Sequence, residues 1–311
     1  MLTHHGLPLS EPMAFGLAAA LTFARIPIVK ISGMPLIAYR MPPRCIIRGV
    51  AKRLGIRMRF QTFRNPADGM FALDGMLATG RIVGLQTSVF WLPYFPADMR
   101  FHFNAHNLIA FGRDDSGYHL SDPVFEAPVT CDPNALQKSR FARGLMAPRG
   151  LMYYPEELPE RINFPRVIPA AVRANYRIMT KAPVPFVGVR AIRRLGRELV
   201  KTGSRARGDF RYLRMLLTHI VRMQEEIGTG GAGFRFVYAA FLAESAEILG
   251  DHRYAEAADR MTQAGDRWRD FAVQATRMAR TRDEPDPAEL ASMLNDCADR
   301  EAAVWDLLRV I

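Results

Sequence analysis

Residues 106–123, HNLIAFGRDDSGYHLSDP, decide how the first part of the chain folds. Two apolar segments flank GRDDSG, a run of residues that favour tight turns. This pattern predicts an antiparallel hairpin. His106 begins the first strand and Asp122 ends the second, so we expect the two side chains to lie near the open end of the hairpin.

His106 and Asp122 are the candidate catalytic residues. A carboxylate beside an imidazole accepts its N–H, fixes its tautomer and stabilises its protonated form. The imidazole can then act as a general base or acid for an activated nucleophile. Histidine and aspartate are also common at strand ends without any chemical role. The residues alone therefore leave open an ordinary edge histidine and an ordinary turn aspartate.

The patterns around this hairpin predict an α+β fold for the first part and an all-helical second part. In the first part we expect helices at residues 11–23, 45–54, 69–79 and 136–144 and strands at residues 57–62 and 82–89. In the second part we expect helices at residues 170–180, 186–201, 210–228, 234–249, 254–280 and 287–310. The Pro-rich residues 155–169 mark the boundary, so the predicted domains are 1–160 and 166–311.

The composition is that of a folded globular protein, with 49% hydrophobic and 23% charged residues in 311. Cys45, Cys131 and Cys297 are scattered without metal-ligand spacing, which argues against a disulfide framework and favours a reducing, cytoplasmic location. Charges and prolines interrupt the apolar residues 14–36, so we interpret them as buried core and expect no membrane span.

The basic charge is concentrated at the junction of the two parts. Residues 166–214 contain 13 Lys and Arg but only two acidic residues, Glu198 and Asp209. Such a segment attracts an acidic protein, nucleic acid or an anionic membrane, or it forms the solvated faces of basic helices. No DNA- or RNA-binding motif supports the nucleic-acid hypothesis.

Three further motifs have competing interpretations. His102 and His106 form HxxxH, which binds metal on a helix, but a loop and strand are predicted here, so we expect no metal site. The loop of residues 228–233, GTGGAG, could hold an anion at the helix that follows, or could be a close-packed turn. The aromatic residues 90–95, FWLPYF, could line an acyl channel or belong to the core. No cofactor is predicted.

The segments HHGLPLSEPMAFGL, VGLQTSVFWLPYFP, HFNAHNLIAFG and YHLSDP together resemble the N-terminal domain of BtrH, the butirosin-biosynthesis acyltransferase family. The second part, with GTGGAGFRFVYAAFLAESAEILG, then DRW and EAAVWDLL, resembles the helical domain of unknown function that often follows it. The resemblance implies a papain-like fold for the first part, akin to the bacteriocin-leader peptidases.

The resemblance also implies a Cys–His–Asp site, in which a cysteine takes an acyl group from an acidic acyl carrier protein and passes it to a small-molecule amine. His106 and Asp122 match the histidine and acid positions. The family cysteine lies in a His-Cys segment just before the residues that HHGLPLSEPM matches, and none of the three cysteines of this chain stands in for it. Either a segment upstream of Met1 supplies the cysteine, or the site lacks its nucleophile. Ala18, Ala19 and Ala20 stand where the family tends to have glycines.

Two functions therefore compete. The first is a BtrH-like acyltransferase or amide-forming or amide-cleaving thiol enzyme of specialised metabolism. The second is a non-catalytic binding or scaffold protein of a biosynthetic cluster, which would need neither the upstream cysteine nor the base at His106.

Overall fold

The structure is a computed structural model that describes residues 1–31, 33–227, 230–281 and 283–309. The strands of these residues are β1 (Leu21–Ile31), β2 (Met34–Arg40), β3 (Arg57–Gln61), β4 (Val83–Thr87), β5 (His106–Asp114), β6 (Gly117–Ser121), β7 (Val129–Cys131) and β8 (Met152–Glu157). The α-helices are α1 (Glu11–Leu17), α2 (Pro43–Leu54), α3 (Pro66–Ala78), α4 (Pro133–Arg140), α5 (Phe164–Lys181), α6 (Val189–Arg205), α7 (Arg211–Glu225), α8 (Arg235–Leu249), α9 (His252–Arg280) and α10 (Pro287–Leu308).

The chain forms two compact units. One contains Met1–Leu9 and Pro42–Arg161, and the other contains Ser10–Met41 and Ile162–Ile311. The first unit is α+β and the second is mainly helical, as the sequence predicts for the two halves. Among the described residues, no helix combines the length and apolar character that crossing a membrane requires.

The first unit is built on a six-stranded antiparallel sheet in the order β3-β8-β4-β5-β6-β7. The helices α3 and α4 contact the central strands of this sheet. Leu85, Leu108 and Leu120 come from β4, β5 and β6 and lie in one buried cluster with Leu73 of α3 and Leu136 of α4. Burying each leucine contributes about 1.5–3 kcal/mol, so this cluster fixes the register of the three strands that carry the candidate site.

The second unit differs from the predicted domain because it includes residues 10–41. The sequence predicts a helix over residues 11–23, but α1 ends at Leu17 and the chain turns at Ala19, which has a φ of +52°. β1 and β2 then form a hairpin that bonds to the helical elements of this unit. Leu21 exchanges two backbone hydrogen bonds with the Asn175 side chain of α5. The prediction that residues 14–36 are buried core is also only partly correct, since Ile28 is 90% exposed.

A fully buried ion pair joins several elements of the second unit. Arg235 of α8 donates to the Glu301 carboxylate of α10 at 2.9 and 3.2 Å, and both side chains are completely buried. The indole N–H of Trp268 on α9 donates to the same carboxylate at 2.6 Å, and Arg235 also donates to the carbonyl of Thr22 in β1. The FRF, DRW and EAAVWDLL motifs therefore meet in the core of this unit.

Glu301→Ala should lower the free energy of unfolding by about 3–5 kcal/mol, because it leaves the buried Arg235 guanidinium without its counter-charge. Urea unfolding followed by tryptophan fluorescence measures this loss. Glu256→Ala is the matched control, because Glu256 pairs with Arg260 on the exposed face of α9 and its removal should cost about 0.5 kcal/mol or less. Equal losses in the two variants would contradict a structural role for the buried pair.

Candidate functional site

The strand register brings His106 and Asp122 together. His106 pairs with Thr87 across β4 and β5, and Ile109 pairs with Ser121 across β5 and β6. Continuing the second register by one residue places Asp122 opposite Leu108, on the same face of the sheet as His106. Such diagonal neighbours have Cα atoms about 7–8 Å apart, within reach of side chains of this length. The predicted hairpin is thus confirmed, although β5 continues through part of the predicted turn.

The two side chains form a close hydrogen bond. His106 Nε2 and Asp122 Oδ2 are 2.6 Å apart. His106 is 9% exposed and Asp122 is 2% exposed, so water screens the contact weakly. The edge of the Phe95 ring packs against the imidazole, with 5.6 Å between the ring centroids. Thr87 donates its hydroxyl to the backbone carbonyl of His106 at 3.3 Å.

The surroundings of Asp122 keep its carboxylate ionised. Burial by itself would raise the pKa of this carboxyl group, but the hydrogen bond and charge of His106 lower it, and the Val124 N–H and the Tyr94 hydroxyl lower it further. The net pKa lies below its ordinary value. An ionised carboxylate only accepts hydrogen bonds, so His106 Nε2 must be the donor. In neutral His106 the free lone pair therefore lies on Nδ1, which can accept a proton.

Both oxygens of Asp122 have fixed partners. Oδ1 accepts from the backbone N–H of Val124 at 3.0 Å, and the Asp122 carbonyl accepts from Phe125 N–H at 3.1 Å. This local turn follows from an aspartate before a proline. Oδ2 accepts from the Tyr94 hydroxyl at 2.8 Å in addition to His106. The sequence places Tyr94 only in an aromatic cluster, because a contact across 28 residues leaves no local pattern.

The side chains of Gln86 and Asn104 hold the loop of residues 143–146 next to β4 and the start of β5. Gln86 donates from its side-chain amide to the carbonyls of Asn104 and Met146 at 2.8 and 2.9 Å. Asn104 donates to the carbonyls of Arg143 and Leu145 at 3.2 and 2.9 Å. The side chains of Leu145 and Met146 are 55% and 42% exposed. Gln86 of β4 and Asn104, two residues before β5, thus hold an exposed apolar loop.

The buried cysteines do not supply a nucleophile to this pair. Cys131 of β7 lies opposite Tyr118 of β6. Tyr118 is four residues before Asp122, which corresponds to about 13 Å along the strand. Cys131 is fully buried, and burial with the nearby Asp132 charge raises its pKa to about 12. Cys297 lies buried in α10, in the other unit, and Cys45 is exposed on α2. A thiol with a raised pKa is a poor nucleophile at neutral pH.

The HxxxH motif and the aromatic residues 90–95 pack against each other. The ring of His102 stacks on Phe90, with 4.0 Å between centroids, and the described residues contain no group of three or more His, Cys, Asp and Glu side chains placed to hold a metal ion. In the aromatic cluster Phe95 is buried, whereas Phe90 and Trp91 are 37% and 38% exposed.

The loop of residues 228–233 is described only from Gly230 onward, so Gly228 and Thr229 lie outside the described residues. Gly230, Gly231, Ala232 and Gly233 all have positive φ. A Cβ at Gly233 would lie 2.2 Å from Tyr39 Cδ1. The Ala232 N–H donates to the Glu225 carboxylate. These contacts favour the close-packed turn over an anion site.

Asp122→Asn should lower the free energy of unfolding at pH 5 by about 1–3 kcal/mol, because the buried charge-assisted acceptor is lost. The folded-state pKa of Asp122 is lowered, so its contribution is present above pH about 4 and is lost as the pH falls through the folded value. The difference in free energy of unfolding between the wild type and Asp122→Asn should therefore be smaller at pH 3 than at pH 5. Urea unfolding at both pH values measures it, and a difference that is unchanged or larger at pH 3 would contradict this assignment.

The comparisons with known proteins agree with the resemblance seen in the sequence. Residues 1–123 match the family described as butirosin biosynthesis protein H, N-terminal, and residues 134–308 match the domain of unknown function DUF4872. No curated protein matches the chain significantly. The second match covers more than half of the 311 residues. The chain therefore belongs to the DUF4872 family, in the arrangement in which a butirosin biosynthesis protein H N-terminal region precedes that domain.

Proposed function

We propose that the protein is a BtrH-like thiol enzyme of specialised metabolism that transfers an acyl group on a papain-like first domain. The observation that carries this proposal is the 2.6 Å contact between His106 Nε2 and Asp122 Oδ2. Because the ionised Asp122 engages Nε2, neutral His106 presents Nδ1 as a base of fixed tautomer and orientation. This arrangement activates a nucleophile in many acyl-transfer sites.

In the proposed reaction His106 Nδ1 takes the proton of a cysteine thiol, and the thiolate attacks the carbonyl of an acyl thioester. The donor thiol leaves with that proton, and a thioester forms on the cysteine. A small-molecule amine then attacks this thioester and gives a proton to His106. As the carbon–sulfur bond breaks and the amide leaves, His106 returns that proton to the cysteine sulfur. We propose that the cysteine belongs to a His-Cys segment ahead of residues 4–13, as the family resemblance implies.

We further propose an acidic acyl carrier protein as the thioester donor. Basic side chains at spacings of four and seven residues lie exposed along one face of α5 and along one face of α6. They are Arg166, Arg173, Arg177 and Lys181 on α5 and Arg190, Arg197, Lys201 and Arg205 on α6. Faces of one charge accelerate association with an oppositely charged protein. This charge supports a carrier protein, and it is independent of the His–Asp pair.

The chain extended by its in-frame upstream codons should form an acyl adduct with an acyl N-acetylcysteamine thioester, detected by intact-protein mass spectrometry. His106→Ala should slow adduct formation by about 10²–10⁴-fold, because it removes the general base. His119→Ala is the matched control. His119 bonds Asp114 at 2.8 Å on the exposed part of the same hairpin and should leave the rate unchanged.

Two results would overturn the proposal. One is an upstream reading frame without His-Cys codons, and the other is an adduct rate that His106→Ala does not change. Either result would favour the non-catalytic binding or scaffold protein.

A further inference from the structure

Tyr94 shares an oxygen of Asp122 with His106, a contact that the sequence motifs do not predict. Its hydroxyl donates to Asp122 Oδ2 at 2.8 Å, and this oxygen also accepts from His106 Nε2 at 2.6 Å. The Tyr94 ring packs edge-to-face on Phe125, with 5.5 Å between centroids. Phe125 in turn packs on Phe95, which contacts the imidazole.

The hydroxyl of Tyr94 stays protonated and remains a donor. Burial raises the pKa of Tyr94, and the charge of Asp122 and their hydrogen bond raise it further. A weaker contribution comes from Cys131. The tyrosine is therefore a neutral donor at neutral pH.

We propose that Tyr94 is a positioning residue that holds the Asp122 carboxylate against His106 and lowers the basicity of the imidazole. This inference rests on the proposed function, since a tuned base matters only if His106 moves protons. Val124 N–H holds Oδ1 and Tyr94 holds Oδ2, so the carboxylate cannot rotate away from the imidazole without losing a hydrogen bond. Donation to Oδ2 also spreads its negative charge, so Asp122 stabilises the imidazolium less than a free carboxylate would.

The groups that face His106 come from three elements. β4 contributes Thr87, which is neutral, and the segment after β4 contributes Tyr94 and Phe95. Asp122 follows β6 and supplies the negative charge. Asp122 is thus the charged group bonded to the imidazole, and Tyr94 is the titratable group bonded to Asp122.

The test follows the His106 ring by NMR in the folded chain of residues 1–311, without thiol or substrate. Tyr94→Phe keeps the aromatic packing and removes only the donor. The His106 pKa should rise by about 0.5 or more, because the Asp122 charge then acts on the imidazolium alone. Tyr118→Phe is the matched control, since Tyr118 donates to Asp74 at 2.6 Å on the same sheet, and it should leave the His106 pKa unchanged.

Replacing Tyr94 with 3-fluorotyrosine should have the opposite effect, because its hydroxyl is a stronger donor, and the His106 pKa should fall. This variant keeps the shape of the side chain, so it also decides the matter if Tyr94→Phe does not fold. A His106 pKa that neither replacement changes, or that moves equally in Tyr118→Phe, would overturn the inference. Since no acyl transfer is measured, this failure is distinct from failure of the proposed function.

Discussion

The hydrogen bond between His106 Nε2 and Asp122 Oδ2 is the interaction on which the functional account depends. It exists because three antiparallel strands keep one register. A slip of one residue between β5 and β6 would move one of the two side chains to the opposite face of the sheet. The leucines of β4, β5 and β6 exclude that slip, because it would also remove Leu108 or Leu120 from the buried cluster. The core of the first unit thus positions the candidate base.

The sequence predicted the parts of the molecule that depend on local patterns. The hairpin of β5 and β6 follows from two apolar segments around a turn, and the long helices α8 and α9 follow from their periodicity. The prediction was wrong where tertiary contacts override local preference. Residues 14–23 are rich in alanine and leucine, yet the chain turns at Ala19, and Leu21 bonds Asn175. Helix propensity is a weak preference that packing can reverse.

Two features of the first unit could not be predicted because they depend on contacts between segments that are distant in the sequence. β8 contains Pro155, which argues against a strand between two others, but the register between β3 and β8 shifts next to Pro155 and accommodates it. The contact between Tyr94 and Asp122 depends on where two separate loops meet. Sequence periodicity carries no information about such a contact.

The two ranges of the chain that match known families do not coincide with the two compact units. β8 lies in the DUF4872 match, yet it stands between β3 and β4 in the sheet of the first unit. The hairpin of β1 and β2 lies in the N-terminal match, yet it belongs to the second unit. Each unit therefore takes elements from both matched regions.

The tautomer of neutral His106 is the sharpest test that Asp122 orients this ring as a base. In the ¹⁵N NMR spectrum of the selectively labelled ring, a proton on Nε2 and a bare Nδ1 have clearly separated shifts. We expect the Nε2–H tautomer, because ionised Asp122 can only accept. A neutral ring that carries its proton on Nδ1 would exclude His106 as the base, since the nitrogen needed to take a proton would already be occupied.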